Sequence, residues 1–130
     1  GQVCPVNGAV SFSDTWGASR SGGRGHQGVD MIAAKGTPAV AVSSGTVSLQ
    51  SSSLGGITAY LYSGGDMYYY AHLDGYASGI SSGVSVSTGQ TIGYVGNTGN
   101  AQYTVSHLHF EYHPGGGSAV NPTPLVSSLC

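Results

Sequence analysis

His107-Leu108-His109-Phe110-Glu111-Tyr112 alternates residue by residue between ring-nitrogen or carboxylate side chains and large apolar ones. A period of two is the signature of a strand with one buried face, because a helix repeats its apolar positions every three or four residues. Val105, His107, His109 and Glu111 then share one face of the strand, and Leu108, Phe110 and Tyr112 share the face that packs into a core. Two histidines two apart on a strand project the same way, with Cα atoms roughly 6.6 Å apart. One imidazole can bind a metal while the other reaches the water that the metal activates.

Further β-rich runs follow the same grammar. Thr37 to Val42 and Gly45 to Gln50 are separated by Ser43-Ser44, and Ile57 to Tyr62 and Met67 to Leu73 flank the hairpin loop Ser63-Gly64-Gly65-Asp66. Gln90 to Val95 ends at the turn cluster Gly96-Asn97-Thr98-Gly99-Asn100, and Val105 to Tyr112 ends at Pro114-Gly115-Gly116-Gly117. Gly and Ser interrupt every stretch with a helical period. Ser11 to Gly25 has no periodicity and reads as a long ordered loop. The expectation is a single all-β domain over residues 1–130, an antiparallel sheet, sandwich or barrel with little or no helix.

Charge excludes several functions. Only 6% of the 130 residues are charged, and Arg20, Arg24 and Lys35 are the only basic ones. Three cations cannot neutralise a phosphate backbone, so nucleic acid is not the partner. No apolar run approaches the roughly 20 residues that a membrane span needs, and the chain is expected to act as a monomer. High Gly and Ser, nine Tyr and few Lys or Glu suit an extracellular β-protein. Gly1 is not an initiator methionine, so removal of a leader or upstream segment is expected. Cys4 and Cys130 lie at the two ends; far from the histidines in sequence, they favour a disulfide over free thiols or a metal role, which places the chain in an oxidising compartment.

The remaining titratable residues supply a coherent chemistry. Catalytic zinc takes three protein ligands from His, Asp and Glu and leaves a fourth position for water, whose pKa falls toward about 7. His26 and Asp30 are four apart, about 13 Å along a straight strand, so a bend must bring them together, and Gly28 tolerates one. His109 completes the set. His72, in Tyr70-Ala71-His72, and His107 remain to move protons or stabilise an oxyanion. Tyr68, Tyr70 and His72 alternate to one side of their run, which would bring three histidines to one groove. Tyr68, Tyr70 and Tyr103 are candidates for lining it, with packing as the alternative. Glu111 reads as a partner of a ligand rather than a base, and His113 as an exposed loop residue. No His-Glu-x-x-His helix is present. An iron(II) facial triad also uses two histidines and a carboxylate, but it gains nothing from two extra histidines.

At these residues the sequence resembles the M23 family of zinc metallopeptidases, the lysostaphin-type cell-wall endopeptidases. The resemblance is carried by Phe12 to Gly17, Gly25-His26-Gln27-Gly28-Val29-Asp30, Lys35 to Ala41 with Gly45-Thr46-Val47, and Tyr70-Ala71-His72-Leu73. It continues through Gly89 to Gly93, Gly96 to Gly99, His107 to Glu111 and Val120-Asn121-Pro122. It implies one zinc ion on His26, Asp30 and His109, a catalytic pair of His72 and His107, and an antiparallel sheet whose groove is closed by loops. It also implies hydrolysis of peptide bonds in bacterial peptidoglycan, in cross-bridges or stem peptides. Two departures, Ser106 in place of a proline and a longer Asn100 to Val105, fall at the expected groove edge. The scarcity of charge around the motifs suggests an uncharged segment such as oligoglycine. A non-catalytic wall-binding domain on the same scaffold and a structural β-domain with incidental histidines are the competing readings.

Overall fold

The computed structural model describes residues 1–20 and 23–130, so Ser21 and Gly22 of the expected Ser11–Gly25 loop lie outside the described residues. Among those described, the strands are β1 (Val29–Ile32), β2 (Pro38–Val40), β3 (Gly45–Ser52), β4 (Gly56–Ser63), β5 (Asp66–Tyr76), β6 (Ser85–Val86), β7 (Thr91–Val95) and β8 (His107–His113). They form one antiparallel sheet in the order β1-β8-β5-β4-β3-β6, with β7 pairing both β2 and β5. The single α-helix among them, α1 (Thr123–Leu129), has Pro124 in its first turn, where a missing N–H costs nothing. The fold is the expected all-β one.

The alternation of β8 sets the sheet's two faces. Leu108 and Phe110 are fully buried, as are Val29 and Met31 beside them on β1 and Tyr70 on β5. Full burial of such side chains is worth about 1.5–3 kcal/mol each relative to exposure. A one-residue slip of β8 would expose Leu108 and Phe110 and bury both histidines in their place, so the register is strongly specified. The Tyr70 hydroxyl donates to the Val40 carbonyl at 2.8 Å and accepts from the Val42 N–H at 3.0 Å, tying β5 to the segment around β2. Tyr68 stacks on Phe110 and Tyr112. Both tyrosines are therefore core residues and do not line a groove.

Cys4 and Cys130 form the expected disulfide across 126 positions of sequence. Both ends are also held by packing: Val6 bridges to Ala39, and Val126 of α1 is fully buried. Closing so long a loop is worth about 5 kcal/mol in the chain-entropy model, and measured values usually fall nearer 2–4. The Cys4→Ser/Cys130→Ser protein should melt roughly 10 °C lower than wild type by calorimetry. An unchanged Tm would show that packing alone fixes the termini.

Candidate metal centre

Three elements bring His26, Asp30 and His109 together. His109 is paired with Asp30 across the β1–β8 ladder, so both point to the face away from the core. His26 precedes β1 and is turned back over it by a bend at Gly28. Gly28 is also required by space. A Cβ there would lie 2.6 Å from the Phe110 carbonyl oxygen and 2.9 Å from His109 Cε1, displacing the His109 imidazole.

The three donor atoms form a near-equilateral triangle. His26 Nε2 is 3.1 Å from Asp30 Oδ1 and 3.1 Å from His109 Nδ1, and His109 Nδ1 is 3.2 Å from Asp30 Oδ1. Outer hydrogen bonds decide which ring atoms face inward. The Nδ1–H of His26 donates to Thr15, with Oγ1 at 2.9 Å and the carbonyl at 3.3 Å, which leaves Nε2 as a lone pair. The Nε2–H of His109 donates to Glu111 Oε2 at 2.6 Å, which leaves Nδ1 as a lone pair. Two bare nitrogens and a carboxylate oxygen facing one another repel unless a cation sits among them. Ligands at about 2.0–2.1 Å from a tetrahedral zinc are spaced by about 3.3 Å, close to the observed edges. Among the described residues these three make the one group of His, Cys, Asp or Glu disposed to hold a metal ion. The residues fit the group.

The electrostatics agree. Burial opposes the charged form of both Asp30 and His109, yet each holds the other charged: His109 is raised to about 9 by Asp30 and Glu111, and Asp30 lies far below the ordinary carboxylate range. The cluster demands positive charge, which a proton or a metal ion can supply. Glu111 is likewise lowered, against its burial, by His109 and then His113.

His72 and His107 stand beside this triangle, with ring centroids 5.0 Å apart. Nδ1 of His72 is 2.8 Å from the Thr98 carbonyl and Nδ1 of His107 is 2.9 Å from the Val105 carbonyl. A carbonyl can only accept, so each ring donates there and presents Nε2 as its free atom. His107 Nε2 lies 3.7 Å from Asp30 Oδ1. Burial pushes the His72 imidazole down to about 4, which keeps it neutral at neutral pH.

His72 reaches the groove by a route that simple alternation does not give. Tyr69 and Ala71 pair with Glu111 and His109 and lie on the groove face, whereas Tyr68 and Tyr70 face the core. Between Tyr70 and Leu73, Ala71 and His72 together oppose the lone Thr58 of β4. This bulge places His72 at φ 65, the only left-handed non-glycine among the described residues, and turns its side chain onto the groove face. The expected shared face of Tyr68, Tyr70 and His72 is thus corrected. The three histidines still converge.

Two further expectations change. Tyr103 is 91% exposed and off the groove, whose aromatic wall is Tyr69 instead. His113 is the last residue of β8, not an exposed loop residue; Nε2 lies 2.7 Å from Glu111 Oε1 and Nδ1 lies 2.8 Å from the Gly117 carbonyl. The groove, about 540 Å³, runs over the cluster, and Arg20, Arg24, Leu54, Ala101 and Val105 are among the residues that line it. Asn100, Ala101, Thr104 and Val105 line it, whereas Ser106 does not and donates its hydroxyl to the Ala33 carbonyl at 2.7 Å. The site is therefore less charge-poor than its motifs suggested.

Glu111→Gln should keep the fold but loosen His109. Metal affinity should fall about 10- to 100-fold, as measured by zinc titration against a competing chelator. Unchanged affinity would mean that Glu111 does not orient the ring.

Residues 24–122 match peptidase family M23. The chain is 34% identical to an L-Ala–D-Glu endopeptidase of Bacillus subtilis over 122 residues, covering 87% of this chain and 37% of that protein. It is 38% identical over 102 residues to an uncharacterized metalloprotease of Haemophilus influenzae, covering 76% of this chain and 20% of the relative. The chain thus spans little more than a third of one curated relative and a fifth of the other. Among solved structures, it is similar to the catalytic domain of the antimicrobial peptidase lysostaphin from Staphylococcus simulans. That match has a TM-score of 0.79 and 31% identity, covering 91% of this chain and 92% of the other.

Proposed function

The chain belongs to peptidase family M23, and on that premise we propose that it is a secreted, zinc-dependent endopeptidase that cuts peptide bonds of bacterial peptidoglycan. In this reading residues 1–130 form one catalytic domain that works as a monomer, since all five site residues come from one chain. His26, Asp30 and His109 hold the ion, and His72 and His107 are the catalytic residues. The observation that carries the reading is the triangle of inward lone pairs, whose orientation is fixed by Thr15 and Glu111. The disulfide supports an oxidising, extracellular setting. The peptidoglycan assignment is supported by what the Bacillus relative is named for cutting.

When bound, zinc supplies a Lewis acid for the scissile carbonyl and a water that ionises near neutral pH. The protein's own groups do the rest. His72, neutral because it is buried, accepts a proton at Nε2, the atom its bond to Thr98 leaves free. His107 offers a second Nε2 across the same space. Whichever ring has taken the proton donates it onward, to the developing oxyanion or to the leaving amine. Leu54, Ala101, Val105 and the Tyr69 ring form the apolar part of the wall and limit water around the bond being cut.

Purified peptidoglycans of different cross-bridge chemistry, digested with and without a chelator, test this reading by mass analysis of the released peptides. Chelator-sensitive peptide fragments are expected. Absence of fragments from every wall type, with zinc bound, would replace the reading with a non-catalytic wall-binding domain on the same scaffold.

A further inference from the structure

The chemistry above leaves the arginines of the groove unused. Arg20 and Arg24 are two of the chain's three basic residues, and both line the groove beside His26 and Asp30. The third, Lys35, pairs with Asp74 at 3.5 Å outside it. Asp14 binds the Asn121 amide, and Asp66 accepts from the Gly115 N–H, also outside it. Charge is therefore segregated. Within the groove Arg20 and Arg24 offset Asp30 and Glu111, while Lys35 against Asp14, Asp66 and Asp74 accounts for the chain's entire formal charge of −2. A dication on the proposed ligands would leave the groove with two uncompensated positive charges. A concave site with such an excess concentrates anions.

Arg20 is built to hold one. Its Nη2 donates to Asp30 Oδ2 at 3.2 Å, on the carboxylate oxygen opposite the one in the metal triangle, and its Nη1 donates to the Ser19 carbonyl at 3.2 Å. A guanidinium has five N–H donors in a planar fork, so these two bonds leave others available. Its side chain is about a third exposed, within reach of a ligand in the groove.

Resting on the peptidase reading of this same site, we propose that the preferred substrate carries a free carboxylate close to the scissile bond, recognised by Arg20 and Arg24, and is not an uncharged oligoglycine. This reverses the expectation drawn from the scarcity of charge around the motifs. The two arginines lie in an aperiodic loop, and only the fold carries them to the groove.

The test uses two peptides differing in one group: a segment containing L-Ala–D-Glu with its free carboxylate, and the same segment with that group as a carboxamide. Both are titrated calorimetrically into the zinc-loaded protein, and kcat/KM is measured for each. The carboxylate peptide should bind and turn over at least about 10-fold better, as charge-assisted bonds to arginine require. That preference should shrink as salt is added. In the Arg20→Gln/Arg24→Gln protein the ratio between the peptides should fall to within about 3-fold of one; a ratio cancels any general effect on metal binding. Equal treatment of both peptides by the wild type, or a preference that survives the double substitution, overturns the proposal. The readouts also separate it from the premise. Carboxylate-selective binding, lost with the arginines but never followed by cleavage, would remove the peptidase reading and keep this one. Cleavage of both peptides at equal rates would do the reverse.

Discussion

Asp30→Ala should lose its zinc and, with it, at least about 10³-fold in peptide hydrolysis, equivalent to roughly 4 kcal/mol of transition-state stabilisation. The reason lies in the triangle. Asp30 Oδ1 is the anionic corner, 3.1–3.2 Å from each imidazole donor, and without it two neutral nitrogens must hold a dication alone. Asp30→Asn, which keeps the shape and removes the charge, should fall between wild type and the alanine variant. Elemental analysis after dialysis against buffered zinc gives the occupancy. A melt with and without zinc gives the linked stability: added metal should raise the Tm of the wild type and leave that of Asp30→Ala unmoved. Full occupancy and normal turnover in Asp30→Ala would remove it from the ligand set.

His107→Ala and His72→Asn should behave oppositely: zinc retained and turnover lost by about 10²- to 10⁴-fold. Asparagine is the better replacement at position 72, because the backbone there sits at φ 65, which asparagine tolerates and most residues do not. Combining the two changes should cost little more than the worse single change if the rings act on one proton. Single-turnover kinetics alongside metal analysis separates the roles. Loss of zinc in His107→Ala would make it a ligand, and normal hydrolysis in both would dismiss the pair as catalytic residues.

How much of this was legible in the sequence depended on whether the signal was local. The faces of β8 could be read directly, because strict alternation over His107 to Tyr112 admits one register with Leu108 and Phe110 inside. The two terminal cysteines pointed to each other because their nearest competitors as partners, the histidines, lie far away in sequence. The position of His72 was not legible. A bulge breaks the period of two after Tyr70, and nothing in Tyr-Ala-His-Leu announces it, since it arises only because β4 sets the single residue Thr58 against both Ala71 and His72. β1 was missed for a similar reason: its four residues, Val29–Ile32, become a strand by pairing with β8 rather than by a pattern of their own. The short helix did leave a trace, in Pro124 placed at the start of Thr123–Leu129, but seven residues are too few for periodicity to show. His113 looked like part of the Pro-Gly turn, and only its pairing with Met67 of β5 extends the strand to include it. The arginines of the groove were the least legible, as an aperiodic loop gives no hint of what its side chains face.

Diffraction from zinc-loaded crystals, recorded on either side of the zinc absorption edge, decides whether His26, Asp30 and His109 hold the ion. One anomalous peak is expected, bonded to His26 Nε2, His109 Nδ1 and Asp30 Oδ1 at about 2.0–2.1 Å, with the Nε2 atoms of His72 and His107 outside bonding distance. A peak bound by His72 or His107, or zinc found only elsewhere on the chain, would contradict that ligand set.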